Sequence, residues 1–111
     1  MESAYRYFHL VVYDDFTVLN KLNDMLVKGE ILEIICSQHC EHGVEHFHLL
    51  VKLNRRYTVY TFESIILHDA TGMYDLSNAF TYLKSKGKIA SLKTADEFLK
   101  LRQKVEKVEK A

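Results

Sequence analysis

The sequence contains no proline or tryptophan, and only four glycines and two cysteines among its 111 residues. Two cysteines are too few for a disulfide framework, so we expect Cys36 and Cys40 to be reduced thiols. No apolar run approaches the roughly 18 residues that a membrane span requires, and the first residues lack the basic flank and apolar stretch of a signal peptide. We therefore expect a soluble intracellular protein that does not associate with membranes.

The chain also lacks an internal repeat, a low-complexity tract and a Gly/Ser linker, which favours a single domain over residues 1–111. Its 15 basic and 15 acidic residues cancel, so like charge does not keep the chain expanded. The charges are unevenly placed, because residues 1–81 carry 6 basic and 11 acidic side chains whereas residues 82–111 carry 9 and 4. We expect a polyanion to approach from the C-terminal side.

The first 29 residues predict a strand followed by a helix. Residues 5–13 are aromatic and β-branched, as in a buried strand. Apolar residues at three- and four-residue intervals over residues 18–26 predict the helix. Asp15 or Thr17 can cap its start, and Gly29 lies where a left-handed C-terminal cap belongs.

A β-hairpin is predicted next. Residues 30–39 and 45–53 have the composition of strands. The four residues Glu41–Val44 are expected to form the turn, with Gly43 supplying a positive φ.

The second half of the chain predicts mainly helices. Residues 54–74 fit a strand, a short helix or both, so their boundaries stay open. A helix capped by Asp75 or Ser77 is expected to run to about Lys86 and to stop at Gly87, with a buried stripe of Leu76, Ala79, Phe80 and Leu83.

A capping-box pattern at residues 94–97 opens a last helix over about residues 94–111, whose charged end we expect to project. Its narrow apolar face consists of Phe98, Leu101, Val105 and Val108. The order of elements indicates an α+β fold in which helices pack on an antiparallel sheet, of ferredoxin-like or RRM-like type.

Four of the six histidines fall within ten residues, at His39, His42, His46 and His48. His46 and His48 are two apart on a predicted strand, so both imidazoles project from one face while Phe47 points to the other. Two neighbouring imidazoles on a rigid strand can bind a divalent metal once one or two further ligands complete the set.

The third ligand is expected from the partner strand, and its identity depends on the turn. A turn of two or four residues places His39 on the histidine face, whereas an odd number places Gln38 there. Glu41, in the turn, could also reach the metal. His9 on the first strand is interpreted as a sheet residue and not as a ligand.

A second group of reactive residues lies on the helix that precedes Gly87. Tyr82 and Lys86 are four residues apart and share a helix face, with Asn78 one turn earlier. A phenol can act as a nucleophile, and a nearby ammonium favours the phenolate and neutralises phosphate charge. Combined with a metal, these residues predict DNA strand transfer.

These motifs resemble the HUH endonuclease superfamily, whose His-hydrophobic-His metal motif is matched by His46-Phe47-His48. Residues 41–48 resemble the acidic, Gly-containing approach to that motif in viral replication initiators. Residues 82–86, Tyr-Leu-Lys-Ser-Lys, are similar to the Tyr-x-x-x-Lys nucleophile motif of parvovirus-type replication proteins, and residues 8–13 correspond to their first motif strand.

The resemblance implies a nuclease that nicks and joins single-stranded or hairpin origin DNA in rolling-circle or rolling-hairpin replication. Tyr82 would form a 5′-phosphotyrosine link, assisted by Lys86 or, with other motif spacing, by Lys84. His46 and His48 would bind Mg²⁺ or Mn²⁺. Family members usually supply the third ligand as a carboxylate, and Gln38 is expected in its place because its side-chain oxygen suits a hard cation.

Initiators of this kind often carry a helicase domain after the nuclease. We therefore expect either an N-terminal piece of a longer chain or a small free-standing protein. As an isolated domain it is expected to be monomeric, and a viral protein of this kind would be located in the host nucleus. Single-domain HUH transposases offer a second interpretation and are expected to act as dimers. A third interpretation is a non-catalytic RRM-like module that stacks bases on aromatic strand residues such as Tyr5, Tyr7 and Tyr13.

Overall fold

The computed structural model describes residues 2–13, 15–86 and 88–110, with side chains described for all of these except residues 41, 86 and 104–110. The strands form one sheet in the order β4-β1-β3-β2-β5, and all neighbouring strands are antiparallel. This arrangement confirms the expected α+β class. The elements in chain order are β1 Ala4–Val12, α1 Phe16–Val27, β2 Ile31–Glu41, β3 Val44–Thr58, α2 Val59–Ile66, β4 Thr71–Met73, α3 Ser77–Lys86, β5 Ile89–Leu92 and α4 Ala95–Lys110.

The two faces of the sheet have different roles because strand side chains alternate. One face, here the core face, presents Phe8 and Phe47 to the hydrophobic core, to which α1, α2 and α4 also contribute. The Phe8 ring stacks on Phe62 of α2 with 4.3 Å between ring centroids. The opposite face, here the histidine face, presents His46 and His48, and the ring of His48 lies near Tyr82 of α3. Most helical packing is therefore on one side, which leaves room for a site on the other.

Local capping explains where α1 begins and ends. The Asp15 carboxylate accepts hydrogen bonds from the backbone N–H groups of Thr17, at 2.9 Å, and Val18, at 3.3 Å. Gly29 has a φ of +79° beyond the C-terminus, a conformation that suits glycine. The expected cap positions are confirmed, and Asp15 is the residue that caps.

The hairpin turn is tighter than expected. Glu41 pairs with Val44, so the connection consists of His42 and Gly43 alone, with φ values of +53° and +79°. Two positive φ values are typical of the type I′ turn, whose twist matches that of the flanking strands. The even number of turn residues places His39 directly opposite His46.

Residues 54–74, for which the sequence predicts a strand, a short helix or both, contain the end of β3, all of α2, and β4. Strand β5 was not expected from the sequence. In α3, Leu83 is fully buried as predicted, whereas the prediction for Phe80 is wrong because 39% of this side chain is exposed. Helix α3 packs on β2 and β3, and among its described side chains Leu83 alone is buried, so the expected apolar stripe is not buried along its length.

The last helix begins with the predicted capping box, in which the backbone N–H of Glu97 donates to Thr94 Oγ1. Phe98 and Leu101 are buried, and the side chains of Val105 and Val108 lie outside the described residues. Among the helices that the structure describes, none combines the length and the apolar character needed to cross a membrane.

Candidate metal and nucleophile site

Three histidines meet on the histidine face. His39, His46 and His48 each offer a ring nitrogen, and these three atoms lie within 4.8 Å of one another. The side chains are only 4%, 5% and 7% exposed. We call this group the histidine triad. Its geometry follows from the hairpin, because His39 and His46 are directly paired while His48 is the next residue of β3 on the same face.

Gln38, the expected third ligand, does not belong to this group. It pairs with Phe47, so it lies on the core face, where its side chain is exposed at the edge of the sheet. The reason is the parity of the turn, since two turn residues bring His39 and not Gln38 to the histidine face. The side chain of Glu41, the other alternative, lies outside the described residues.

His9 joins the triad from the neighbouring strand. Its Nε2 lies 2.9 Å from Nδ1 of His48, and the two rings are nearly parallel, with 5.1 Å between centroids and 14° between planes. One ring must donate and the other accept. If His48 donates from Nδ1, its Nε2 lone pair is available for a metal. Sequence reasoning missed this contact, because His9 is far from the other histidines in the chain and its neighbour is set by strand pairing.

Further contacts orient the other two imidazoles. Nδ1 of His46 lies 3.4 Å from the backbone carbonyl oxygen of Val44, and a proton on Nδ1 leaves the lone pair on Nε2. Nε2 of His39 lies 3.0 Å from Oγ of the fully buried Ser37. Hydrogen bonds of this kind fix ring orientation and tautomer in metal-binding histidines.

Burial favours the neutral form of His48 and His9. Burial lowers the pKa of His48 to about 4, and the charges that His39, His9 and His46 carry when protonated add to the shift. Burial, followed by the charge of His39, also lowers the pKa of His9. Imidazole binds metal in its neutral form, so these shifts favour binding at neutral pH.

Tyr82 lies beside the triad. Its ring centroid is 5.9 Å from that of His48 and 6.2 Å from that of His39. The side chain is 46% exposed, so a large substrate can reach it. Lys84 is also exposed on α3, whereas the side chain of Lys86 lies outside the described residues. The structure therefore brings Tyr82 next to His48, one member of the predicted histidine pair, and next to His39.

The donor set can be compared with the requirements of different metals. Two nitrogens bonded to one ion at about 2.1 Å can be at most roughly 4.2 Å apart, so the 4.8 Å spread needs only a small side-chain rotation to close. Three neutral imidazoles suit first-row transition metals, whereas Mg²⁺ prefers oxygen ligands. The triad fits Mn²⁺ or a later transition metal better than Mg²⁺.

Comparison with known proteins provides no relative for this chain, since no protein-family model, curated protein sequence or solved structure matches it.

Proposed function

We propose that this protein is a metal-dependent nicking and joining endonuclease of the HUH superfamily, acting on single-stranded DNA in the manner of a viral replication initiator. The observation that carries the proposal is the position of Tyr82 within 6.2 Å, between ring centroids, of two histidines of a buried triad. A phenol, a set of neutral imidazoles and an open approach are the elements of phosphodiester transfer.

In the proposed reaction, Tyr82 Oη attacks the phosphorus atom of a backbone phosphate. A bond forms between Oη and phosphorus, and the bond from phosphorus to the 3′ oxygen breaks. The phenolic proton leaves to solvent, and the 3′ oxygen takes up a proton to become a hydroxyl group. Joining is the reverse reaction, in which a 3′-hydroxyl displaces the tyrosine and regenerates Tyr82.

The histidine triad would hold the metal, which supplies charge stabilisation at the phosphate oxygens. Mn²⁺ is the proposed ion of the Mg²⁺/Mn²⁺ pair that the family resemblance implies, because the described ligands are nitrogens. Lys84 or Lys86 on the same helix would neutralise charge on the phosphate of the substrate.

Access to the site supports a polymeric substrate. Tyr82 is 46% exposed, and Tyr13, 51% exposed, lies beside His46 with 5.3 Å between ring centroids. An exposed tyrosine at this position can stack against an unpaired base. A single strand fits such an open face better than a duplex, since its bases are available for stacking.

The test uses a pool of labelled single-stranded oligonucleotides with Mn²⁺ and measures a protein–DNA adduct that survives denaturation. The parent protein should form the adduct, and Tyr82→Phe or added chelator should abolish it. Tyr13→Phe is the matched control, because it removes a hydroxyl of similar exposure beside the same triad. This variant should retain the adduct.

Each outcome separates one interpretation from another. Loss of the adduct in Tyr13→Phe but not in Tyr82→Phe would show that the nucleophile is Tyr13 and not Tyr82. DNA binding without any adduct, together with unchanged binding in the His46→Ala variant, would favour the RRM-like binding module. An adduct whose formation requires a dimer, detected by mixing Tyr82→Phe with His46→Ala chains, would favour the transposase.

A further inference from the structure

A group of arginines and tyrosines lies far from the histidine triad, at the end of the sheet opposite the hairpin turn. These residues line a pocket of about 370 Å³, within the roughly 300–1,000 Å³ range of small-ligand sites. Its lining includes two arginines and three tyrosines, which are Arg6, Arg56, Tyr5, Tyr7 and Tyr74. We call it the arginine–tyrosine pocket. Guanidinium and phenol groups donate hydrogen bonds, so the pocket offers donors to an anion.

An irregular pairing of β1 with β3 explains why both arginines reach the pocket. The register shifts between Tyr5 and Tyr7, so that one residue of β1 lies opposite residues 53–56 of β3. A bulge of this kind interrupts the regular alternation of side chains and turns some of them in new directions. Arg6 is the single residue of β1, Arg56 is one of the four residues of β3, and both are exposed. The bulge therefore brings two exposed cationic side chains to one pocket.

A glycine supports the aromatic wall of the pocket. Gly72 of β4 has no side chain, and the ring of Tyr5 occupies the space that a Cβ atom at this position would fill. The Tyr5 ring in turn contacts the ring of Tyr74, with 4.7 Å between their centroids. Because Tyr74 is 71% exposed, its ring has surface left for contact with a ligand.

The electrostatic environment of the pocket favours negative charge. Hydrogen bonds from Ser3 and Tyr5 lower the pKa of Tyr74. The positive charge of Arg56 lowers this pKa further. An oxygen atom at this position therefore meets both donors and a cation, the conditions that stabilise an anion. Among the described residues that line the pocket, none is acidic.

The charge of the chain favours a small ligand over a nucleic-acid strand. All of the lining residues belong to residues 1–81, which carry 6 basic and 11 acidic side chains. A nucleic acid binds through many phosphate contacts along an extended basic surface, and this part of the chain has an excess of acidic residues. A phosphate monoester is a compact dianion near neutral pH, and guanidinium groups match its oxygens in a bidentate manner.

We propose that the arginine–tyrosine pocket binds a small organic phosphate monoester, with the phosphate between Arg6 and Arg56 and the organic group against the ring of Tyr74. The inference goes beyond the proposed function and does not depend on it. Along β1, roughly 20 Å separates the pocket from Val11, the residue that pairs with His48. The pocket is therefore a second ligand site, separate from the histidine triad.

Phenyl phosphate is the probe, because it combines a phosphate dianion with an aromatic ring. It is titrated into the isotope-labelled Tyr82→Phe protein with chelator present, so that neither catalysis nor a metal at the histidine triad contributes. Heteronuclear NMR should show saturable shifts at the backbone N–H groups of residues 4–7, 56, 73 and 74. The absence of saturable shifts at millimolar concentrations would overturn the inference, and so would shifts centred on the histidine face.

The arginines are tested one at a time. Arg6→Gln and Arg56→Gln should each weaken phenyl phosphate binding about tenfold or more, since each removes hydrogen bonds to a charged group. Arg55→Gln is the matched control, because it makes the same charge change at the neighbouring residue, whose guanidinium lies 3.9 Å from the ring centroid of Tyr57 and outside the pocket lining. This control should bind like the parent. An equal loss in all three variants, with unchanged melting temperatures, would indicate a general charge effect and no pocket.

The aromatic wall is tested by comparing two phosphates. The parent protein should bind phenyl phosphate about threefold or more tighter than inorganic phosphate, because of the contact with an aromatic ring. Tyr74→Ala should abolish this difference. Tyr60→Ala should retain it, since Tyr60 lies on α2 and is equally exposed, at 72%. Equal affinity of the parent for the two phosphates would show that the pocket does not recognise an organic monoester.

A single-stranded oligonucleotide distinguishes this site from a DNA-binding surface. Its internal phosphates are diesters with one negative charge each, and it should not displace phenyl phosphate. Displacement that is lost in Arg6→Gln and Arg56→Gln would instead assign the pocket to DNA and overturn the inference. The proposed function stands or falls separately, because an adduct on Tyr82 without phenyl phosphate binding removes only the pocket, and phenyl phosphate binding without an adduct removes only the nuclease.

Discussion

Replacement of His9 by phenylalanine isolates the hydrogen bond that His9 makes to the histidine triad. Nε2 of His9 is 2.9 Å from Nδ1 of His48, and the two rings stack with 14° between their planes. A neutral imidazole offers one lone pair, so His48 can bind a metal through Nε2 only when Nδ1 carries the proton. His9 is then the acceptor. Phenylalanine retains an aromatic ring beside His48 but accepts no such hydrogen bond.

The expected effect is a loss of metal affinity. Partners that orient metal-binding histidines typically contribute 10- to 100-fold in affinity, which corresponds to about 1.4–2.7 kcal/mol. We therefore expect His9→Phe to weaken Mn²⁺ binding by about this factor. His9→Gln retains a side-chain oxygen that can accept the Nδ1–H of His48, and it should recover part of the loss.

Isothermal titration calorimetry with Mn²⁺ measures the affinity directly, and thermal unfolding without metal shows whether each variant is folded. His68→Phe is the matched control, because Nδ1 of the half-buried His68 contacts the backbone oxygen of Asp69 and this histidine is not one of the candidate metal ligands. This control should bind Mn²⁺ like the parent. If His9→Phe is folded and also binds Mn²⁺ with the affinity of the parent, the hydrogen bond does not position His48 for the metal.

Four further predictions concern pH, metal choice and backbone conformation. The pKa of His48 is lowered from 6.5 to about 4 on folding, so the unfolded state binds more protons between these values. The metal-free protein should therefore lose stability as pH falls through that window. Urea denaturation should show a weaker pH dependence for His48→Leu, and an equal dependence would contradict the shift. Zn²⁺, Co²⁺ and Mn²⁺ should each raise the melting temperature more than Mg²⁺ at equal concentration, and a preference for Mg²⁺ would show that oxygen ligands dominate. Gly72→Ala should destabilise the fold by about 1–3 kcal/mol in chemical denaturation, because the new Cβ would overlap the ring of Tyr5; a neutral result would mean that this ring moves aside freely. His42→Asn should stabilise the hairpin by about 0.5–1 kcal/mol, since asparagine tolerates the φ of +53° better, and should leave Mn²⁺ affinity unchanged.

Much of the fold could be predicted because its signals are local. The apolar spacing of α1 and the Asp15 cap are both read within a few residues, and the same holds for the capping box of Thr94 and Glu97. Strand β5 could not be predicted in this way. It has only four residues, and it forms a strand because it pairs with β2. This pairing is a contact between distant parts of the chain.

Part of the candidate site could also be predicted, because the signals for that part are local. Strand periodicity is sufficient to place His46 and His48 on one face, and helix periodicity identifies the exposed side of Tyr82. The third member of the triad depends on the number of turn residues, and a turn of two instead of three reverses the choice between Gln38 and His39. The contact between His9 and His48 could be predicted only with the knowledge that β1 lies beside β3.

The composition of the triad has a consequence for the proposed chemistry. The family resemblance implies a carboxylate among the metal ligands, whereas the described ligands here are neutral imidazoles. A carboxylate ligand would cancel one positive charge of a divalent ion, so an ion held by His39 in place of a carboxylate would keep its full charge close to the phosphate and to Tyr82. Such a charge favours the phenolate over the phenol. The same replacement disfavours Mg²⁺, so metal choice and nucleophile activation should change together when His39 is altered.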